Sequence, residues 1–454
     1  MENTVQRRER ERWANKIEFI LSCIGLSIGL GNIWRFPYLT YENGGAAFLV
    51  PYIFLMTVIG RPIYFMELIL GQFCSFATLN SFACVPLAQG VPLVMMYAVF
   101  FISIYYNVIL GYSLTYLYYS FWKVLPWTEC NPEWATKYCF VQGTKFVTCK
   151  EANASILELF RHNNSTDTDA VAMSDGPTAV MVPLKEFLQL YEGCKDVNVT
   201  SSEMFFYKRF LGLTSGIQEM GVVQPEIFVS LMAAWLIVFF TICKGIQSSG
   251  KVVFFTALVP FLILGVLVTR GVTLDGADMG LAYYLVPDWK KILDYSVWQR
   301  AAEQVFFSLG VAQGMIITMG SYNEFGNDLY RDVYIIAFAD LSISFVGGIV
   351  VFSVLGNMAY ELHLDVPDVV SSGFGLAFIT YPQAVSALSF PNLWAAAFFT
   401  MLFFLALGSQ IAFAESLLSP LKDRIDYLHE HRTMLAAAAC LIGFVLGIPL
   451  TTQA

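Results

Sequence analysis

Residues 25–37 read GLSIGLGNIWRFP, so Gly25, Gly29, Gly31, Asn32, Arg35 and Pro37 all fall inside the first strongly apolar stretch of the chain. Glycine and proline weaken the hydrogen-bond ladder of a helix, and lipid supplies no partner for the carbonyls and N–H groups so released. Peptide groups left open at membrane depth can bind an ion or a zwitterion. A second apolar stretch carries the same features in Phe306, Phe307, Ser308, Leu309, Gly310 and Gly314. Glycines in membrane helices also serve close packing. Two interruptions that combine glycine with polar residues, in the first and sixth apolar spans, instead fit two repeats of inverted topology with a substrate held between them.

The elements that must position these residues are membrane helices. Hydrophobic residues make up 57% of the 454-residue chain and charged residues only 13%, with a mean hydropathy of +0.60. So few charges cannot clothe a soluble particle of this size, and lipid must be the solvent for much of the surface. The expected fold class is an all-α polytopic membrane protein. Apolar spans are predicted at 17–40, 46–70, 93–122, 225–243, 251–270, 298–321, 333–357, 392–419 and 433–451, each near or above the ~20 residues a bilayer requires. Arg7, Arg8, Arg10, Arg12, Lys16, Lys244, Lys251, Lys422, Arg424 and Arg432 then fall on one side, which the positive-inside rule makes the cytosol.

The organisation expected is a cytosolic N-terminal tail at 1–16, spans one to three at 17–122, a large extracellular loop at 123–224, and spans four to nine at 225–454. Residues 1–16 are charged and run straight into a full-length span, unlike a cleaved signal peptide. The loop carries glycosylation sequons at Asn153, Asn163, Asn164 and Asn198 and the cysteines Cys130, Cys139, Cys149 and Cys194, as an oxidising exterior would favour. Cys130 and Cys139 are the pair expected to form a disulfide. Cys23, Cys74, Cys84, Cys243 and Cys440 lie in or beside spans and read as small packing residues. The net charge of −9 comes with no basic stripe, which argues against nucleic acid as a partner. Four histidines without a metal-ligand cluster or nucleophile arrangement give no enzyme signal.

The segments GLGNIWRFPYLTYENGGAAFLVPY at 29–52, YYN at 105–107, LPWTEC at 125–130, FFSLG at 306–310, SYNEFGND at 321–328 and FITY at 378–381 resemble the neurotransmitter:sodium symporter family. The likeness is to its amino-acid-transporting branch, in the manner of insect nutrient amino acid transporters. It implies an inverted-repeat, leucine-transporter-like fold with broken helices 1 and 6. It also implies plasma-membrane cotransport of a neutral amino acid with Na+, usually with Cl−, by alternating access. The family has twelve crossings, and this chain reads as truncated after about nine, without family helices 10–12. A transport-inactive member that acts only by associating with full-length transporters is the alternative, and homo-oligomerisation is open.

By the same resemblance, Gly29 stands where amine carriers have an aspartate and amino-acid carriers a glycine. A side-chain-free position leaves room for the substrate carboxylate, and the N–H groups of Leu30 and Gly31 at a half-helix start favour an anion. Ser27 and Ser308 join this substrate set, Tyr106 resembles a further carboxylate donor, and Phe307 an aromatic lid. The substrate side chain would meet Ile102, Gly310, Gln313, Ser409 and Phe413. Two Na+ sites are implied, as a hard cation demands oxygen ligands. One uses the Ser27 carbonyl, Asn32, Ser308 and Asp340. The other uses the carbonyls of Gly25, Ile28 and Leu405 with the Ser409 hydroxyl. A chloride set maps onto Tyr52, Gln304, Ser308 and Ser344.

Two positions depart from the family pattern. Asp340 stands where asparagine is usual, and Gly408 replaces a threonine or aspartate of the second cation site. An extra carboxylate can stand in for chloride, admit K+ as a substitute cation, take up a proton, or serve structure alone. Arg10, Trp13, Tyr322 and Asp423 resemble a cytoplasmic gate, and Arg35 with Phe307 an outer one. Glu67, Glu303 and Glu415 lie in spans and are expected to face protein or water. Arg61, in the second span, departs from the commonest pattern.

Overall fold

Asn15 opens the first helix by accepting the Glu18 N–H at 2.9 Å, which satisfies a donor that the first turn would leave unpaired. In this computed structural model, which describes residues 11–135, 139–141, 170–173, 180–183, 199–216, 218–362, 366, 375–386 and 388–453, α1 runs over Lys16–Ser27. The α-helical ladder then stops. Ile28 is extended, at φ −89° and ψ 96°, and α2 (Gly31–Glu42) resumes at 47° to α1. Lys16 ties the start of α1 to the fully buried Asp332 at 2.8 Å.

The continuous helices follow as α3 (Ala46–Cys74), α4 (Val91–Ser120), α5 (Pro225–Ile242) and α6 (Ile246–Gly271). Next come α7 (Ala277–Leu285), α8 (Tyr295–Leu309), α9 (Met315–Gly320), α10 (Leu329–Leu362), α11 (Tyr381–Ser386), α12 (Pro391–Arg424) and α13 (Arg432–Gly447). Proline opens α5 and α12, where the first N–H has no helical partner to lose. Asp294 caps α8 by accepting the Ser296 N–H at 3.0 Å, and that bond holds its carboxyl below the ordinary range.

Among the described residues, seven helices are long and apolar enough to cross a bilayer, and the bent α1–α2 pair makes an eighth. The predicted sixth crossing, 298–321, is broken as expected, divided between α8, of 15 residues, and α9, of 6. Neither piece alone reaches the ~20 residues of a full span. Between them Gly310, Ala312 and Gly314 have φ of 65°, 62° and 78°, so the chain passes through the left-handed region at a residue that is not glycine. Glu67 on α3 holds this turn by accepting the Ala312 N–H at 2.6 Å.

The helix α9 lies almost backbone to backbone on α3, because Gly320 faces the Leu68 carbonyl and Gly71 faces that of Ile317. The long α12 packs along α4, α6 and α1, while α10 covers α1 and α2. These elements surround the two breaks from opposite sides.

Among the described residues of 123–224, Cys130 and Cys139 form the expected disulfide, with Cα atoms 5.9 Å apart. Two short ladders accompany it, Cys139–Phe140 parallel to Val199–Thr200 and Ala170–Met173 antiparallel to Val180–Pro183. The loop is anchored by Trp127, which is buried against Tyr116 and whose own carbonyl accepts the Ser201 hydroxyl at 2.9 Å. Arg10, Cys149, Cys194, Asn153, Asn163, Asn164 and Asn198 lie outside the described residues.

Gly314→Ala tests the second break, since an added methyl would stand 2.7 Å from the Thr78 side chain at a left-handed residue. The expected cost is about 1–3 kcal/mol, read as a lowered unfolding temperature of the purified protein.

Candidate substrate and ion site

The two breaks face each other across a cavity of about 30 Å³, lined from α1 and its break by Leu26, Ser27, Gly29, Gly31 and Asn32. Ile102 and Tyr106 of α4 and Ser409 and Phe413 of α12 close two further sides. Phe307 and Ser308 of α8, with Gly310, Gln313 and Met315, complete the wall. All the predicted substrate residues except Leu30 line this space. Leu30 contributes its N–H, which donates to the Tyr106 hydroxyl at 3.3 Å. Leu26 and Met315 are wall residues that sequence reasoning missed, because an apolar side chain beside a break reads like any other packing residue.

Gly29 is held tightly. A methyl group on it would stand 2.8 Å from Ser409 Oγ and 3.0 Å from the Tyr106 hydroxyl, so glycine keeps both oxygens on the cavity. Tyr106 is oriented edge-on against Phe413, with ring centroids 5.2 Å apart. Gln313 Oε1 is buried with no hydrogen-bond partner among the described residues, an acceptor suited to a ligand N–H. Phe307 lies under the Arg35 guanidinium, 4.7 Å from its carbon, which joins the two residues expected at the outer gate.

Three residues of the first predicted cation set, Asn32, Ser308 and Asp340, form one polar cluster. Asn32 Oδ1 accepts the Gly29 N–H at 3.0 Å, and Asn32 Nδ2 donates to Ser308 at 3.0 Å, Asp340 at 2.9 Å and Ser344 at 2.9 Å. Asp340, at 0% exposure, also accepts from Ser308 at 2.7 Å and from Tyr52 at 3.4 Å. Three residues of the predicted chloride set, Tyr52, Ser308 and Ser344, thus surround the Asp340 carboxylate or its partner Asn32. The fourth, Gln304, points elsewhere: its amide reaches the Gly31 carbonyl at 3.4 Å, and its oxygen accepts Arg35 at 3.1 Å.

Three members of the second predicted set, Gly25, Leu405 and Ser409, also come together. Ser409 Oγ sits 3.5 Å from the Gly25 carbonyl, 3.4 Å from that of Leu26 and 3.5 Å from that of Leu405. The first two oxygens belong to the end of α1, where helical partners run out. Carbonyls at a helix C-terminus present partial negative charge, which favours a cation. The Ile28 carbonyl follows at the break itself. Oxygen is the ligand type in both sets, as Na+ requires.

At the end of the bundle that holds the start of α1, Trp13 donates its indole N–H to the Met319 carbonyl and its backbone N–H to that of Tyr322, both at 3.2 Å. Tyr322 in turn bonds the Ser419 hydroxyl. Asp423 accepts the Ala77 N–H at 2.7 Å. Its expected partner Arg10 is not among the described residues, so that pairing is not addressed by the geometry. Glu415 meets Arg432 at 3.3 Å and Lys422 at 3.9 Å, and Glu303 meets Arg300 at 3.2 Å. Arg61 stacks on Tyr334, 4.3 Å from the ring centre.

A model of the sodium:neurotransmitter symporter family matches residues 10–172 and 185–454. The chain is 40% identical over 448 residues to the sodium- and chloride-dependent glycine transporter 1 of Xenopus laevis, covering 98% of this chain and 67% of that protein. It is 39% identical to the creatine transporter of Torpedo marmorata, covering 98% and 66%. It is also 39% identical to the sodium- and chloride-dependent neutral and basic amino acid transporter B(0+) of Mus musculus, covering 99% and 68%. The chain therefore spans about two thirds of the length of these relatives.

Gly29→Ala tests the cavity wall. Overpacking against Ser409 and Tyr106 is expected to destabilise the fold by about 1–3 kcal/mol, read as a lowered unfolding temperature of the purified protein; an unchanged unfolding temperature would show that the wall yields at Gly29.

Proposed function

Since the chain belongs to the sodium:neurotransmitter symporter family, a family of transporters rather than enzymes, we propose that it is a sodium-coupled symporter carrying small neutral amino acids. It is a multi-pass membrane protein, and we orient its N-terminus to the cytosol on the distribution of lysine and arginine. The observation that carries the proposal is the single cavity between the two breaks, walled by Gly29, Tyr106 and Gln313.

In this reading the substrate carboxylate lies against the N-terminal end of α2 and the Tyr106 hydroxyl, where an anion is favoured. The ammonium turns toward Gln313 Oε1 and the carbonyl end of α1. Phe307 and Arg35 close over the ligand. The volume of about 30 Å³ favours the small end of the neutral amino acids, because Phe413 fills the far side. A glycine transporter is among the relatives, beside transporters of creatine and of neutral and basic amino acids. Na+ occupies the two oxygen sets, and its binding draws the breaks together before the substrate is committed.

The Asp340 carboxylate supports a second element of the proposal. Two hydroxyls of the predicted anion set, those of Tyr52 and Ser308, already donate to this carboxylate. A fixed negative charge there relieves the need for chloride and relaxes the choice of cation toward K+.

Labelled glycine or alanine uptake into expressing cells is expected to fall about tenfold when external Na+ is replaced by choline, and to exceed that of leucine, phenylalanine, lysine or creatine. Uptake indifferent to Na+ would overturn the symport. With chloride replaced by gluconate, wild type is expected to retain most of its uptake and Asp340→Asn to lose it. Equal loss in both would remove the role given to Asp340.

A further inference from the structure

Gly408 leaves the second cation set without the side-chain oxygen that a residue on this turn of α12 could supply. A methyl group on Gly408 would stand 3.0 Å from the Gly25 carbonyl oxygen, one of the predicted ligands, and 3.4 Å from the hydroxyl of Thr256. The same hydroxyl lies 3.8 Å from where a methyl on Gly25 would be. Thr256 therefore reaches from α6 into the space between the end of α1 and α12. It is buried at 2% exposure, and its hydroxyl donates back to the Val253 carbonyl at 3.3 Å.

That back-bond fixes the hydrogen of Thr256 into its own helix and leaves the oxygen lone pairs facing outward. An oxygen in this state is an acceptor only, which is what a hard cation requires. The geometry points to Thr256 as the side-chain ligand that replaces position 408, so that the second Na+ is held between three helices, α1, α6 and α12. The absence of a side chain at 408 is what permits the approach, because a larger residue there would stand against both Thr256 and the Gly25 carbonyl. The inference rests on the sodium-coupled reading above and adds a helix to that site.

The test uses the full chain purified in detergent, with the unfolding midpoint followed against NaCl at constant ionic strength made up with choline chloride. A ligand that binds the native state raises the midpoint in proportion to its occupancy. Thr256→Val keeps the shape and removes the oxygen, and is expected to raise the half-saturating Na+ concentration about tenfold. Thr256→Ser keeps the hydroxyl and is expected to respond like wild type. Thr256→Val combined with Gly408→Ser returns an oxygen and is expected to regain most of the response.

A Thr256→Val protein with the wild-type Na+ response overturns the inference while leaving the sodium sites standing. If Thr256→Val does not fold, Thr256→Ala decides: a half-saturating Na+ concentration raised about tenfold supports the inference, and the wild-type response overturns it. A wild-type protein whose midpoint ignores Na+ overturns the sodium-coupled reading itself.

Discussion

Peptide groups released from a helix inside a bilayer must find partners within the protein, and that requirement organises everything around the two breaks. At the first break, Asn32 takes the Gly29 N–H, Tyr106 takes that of Leu30, and Ser409 sits against the carbonyls of Gly25 and Leu26. At the second, Glu67 takes the Ala312 N–H. Each partner comes from a different element or from the far side of the break. The cavity is therefore the meeting point of several helices, and its polar character follows from the repair of broken ladders rather than from a separately built pocket.

Charge is distributed under the same rule. Asp340 is buried, yet a serine, a tyrosine and an amide all donate to it, so its position depends on hydrogen bonds as much as on any ion. Asp332 is equally buried and is matched by Lys16. Glu415 has Arg432 and Lys422. Arg35 lies between the Phe307 ring and the Gln304 amide, and Gln304 also contacts the Gly31 carbonyl. The residue closing the outer face is in this way connected to the backbone of the first break.

Much of this was legible in the sequence, for reasons specific to particular residues. The breaks at 25–37 and 306–314 announced themselves because glycine and proline are costly in a lipid-facing ladder. Gly29, Tyr106 and Ser308 could be placed because short motifs fixed their positions along the helices. The Cys130–Cys139 disulfide was found where the loop brings the two cysteines together. Other features depended on contacts between residues far apart in the chain. The role of Glu67 depends on a left-handed turn 245 positions away, and the Gln304 side chain turns toward Arg35 rather than toward the Asp340 cluster. Thr256 read as one more hydroxyl in an apolar helix, since nothing local in α6 reveals which neighbour its oxygen faces. That the sixth span is interrupted showed in its glycines, but the form of the break did not, since one of its three left-handed residues, Ala312, carries no sequence signal for that conformation.

The close seating of α9 on α3, glycine against carbonyl on both sides, has a mechanical meaning. Two rods meshed without intervening side chains cannot slide or roll past one another, since there is no lubricating layer of rotamers to deform. The short rod is therefore seated as one unit with its longer neighbour, and the kinked tether at 310–314 is the joint between that unit and α8.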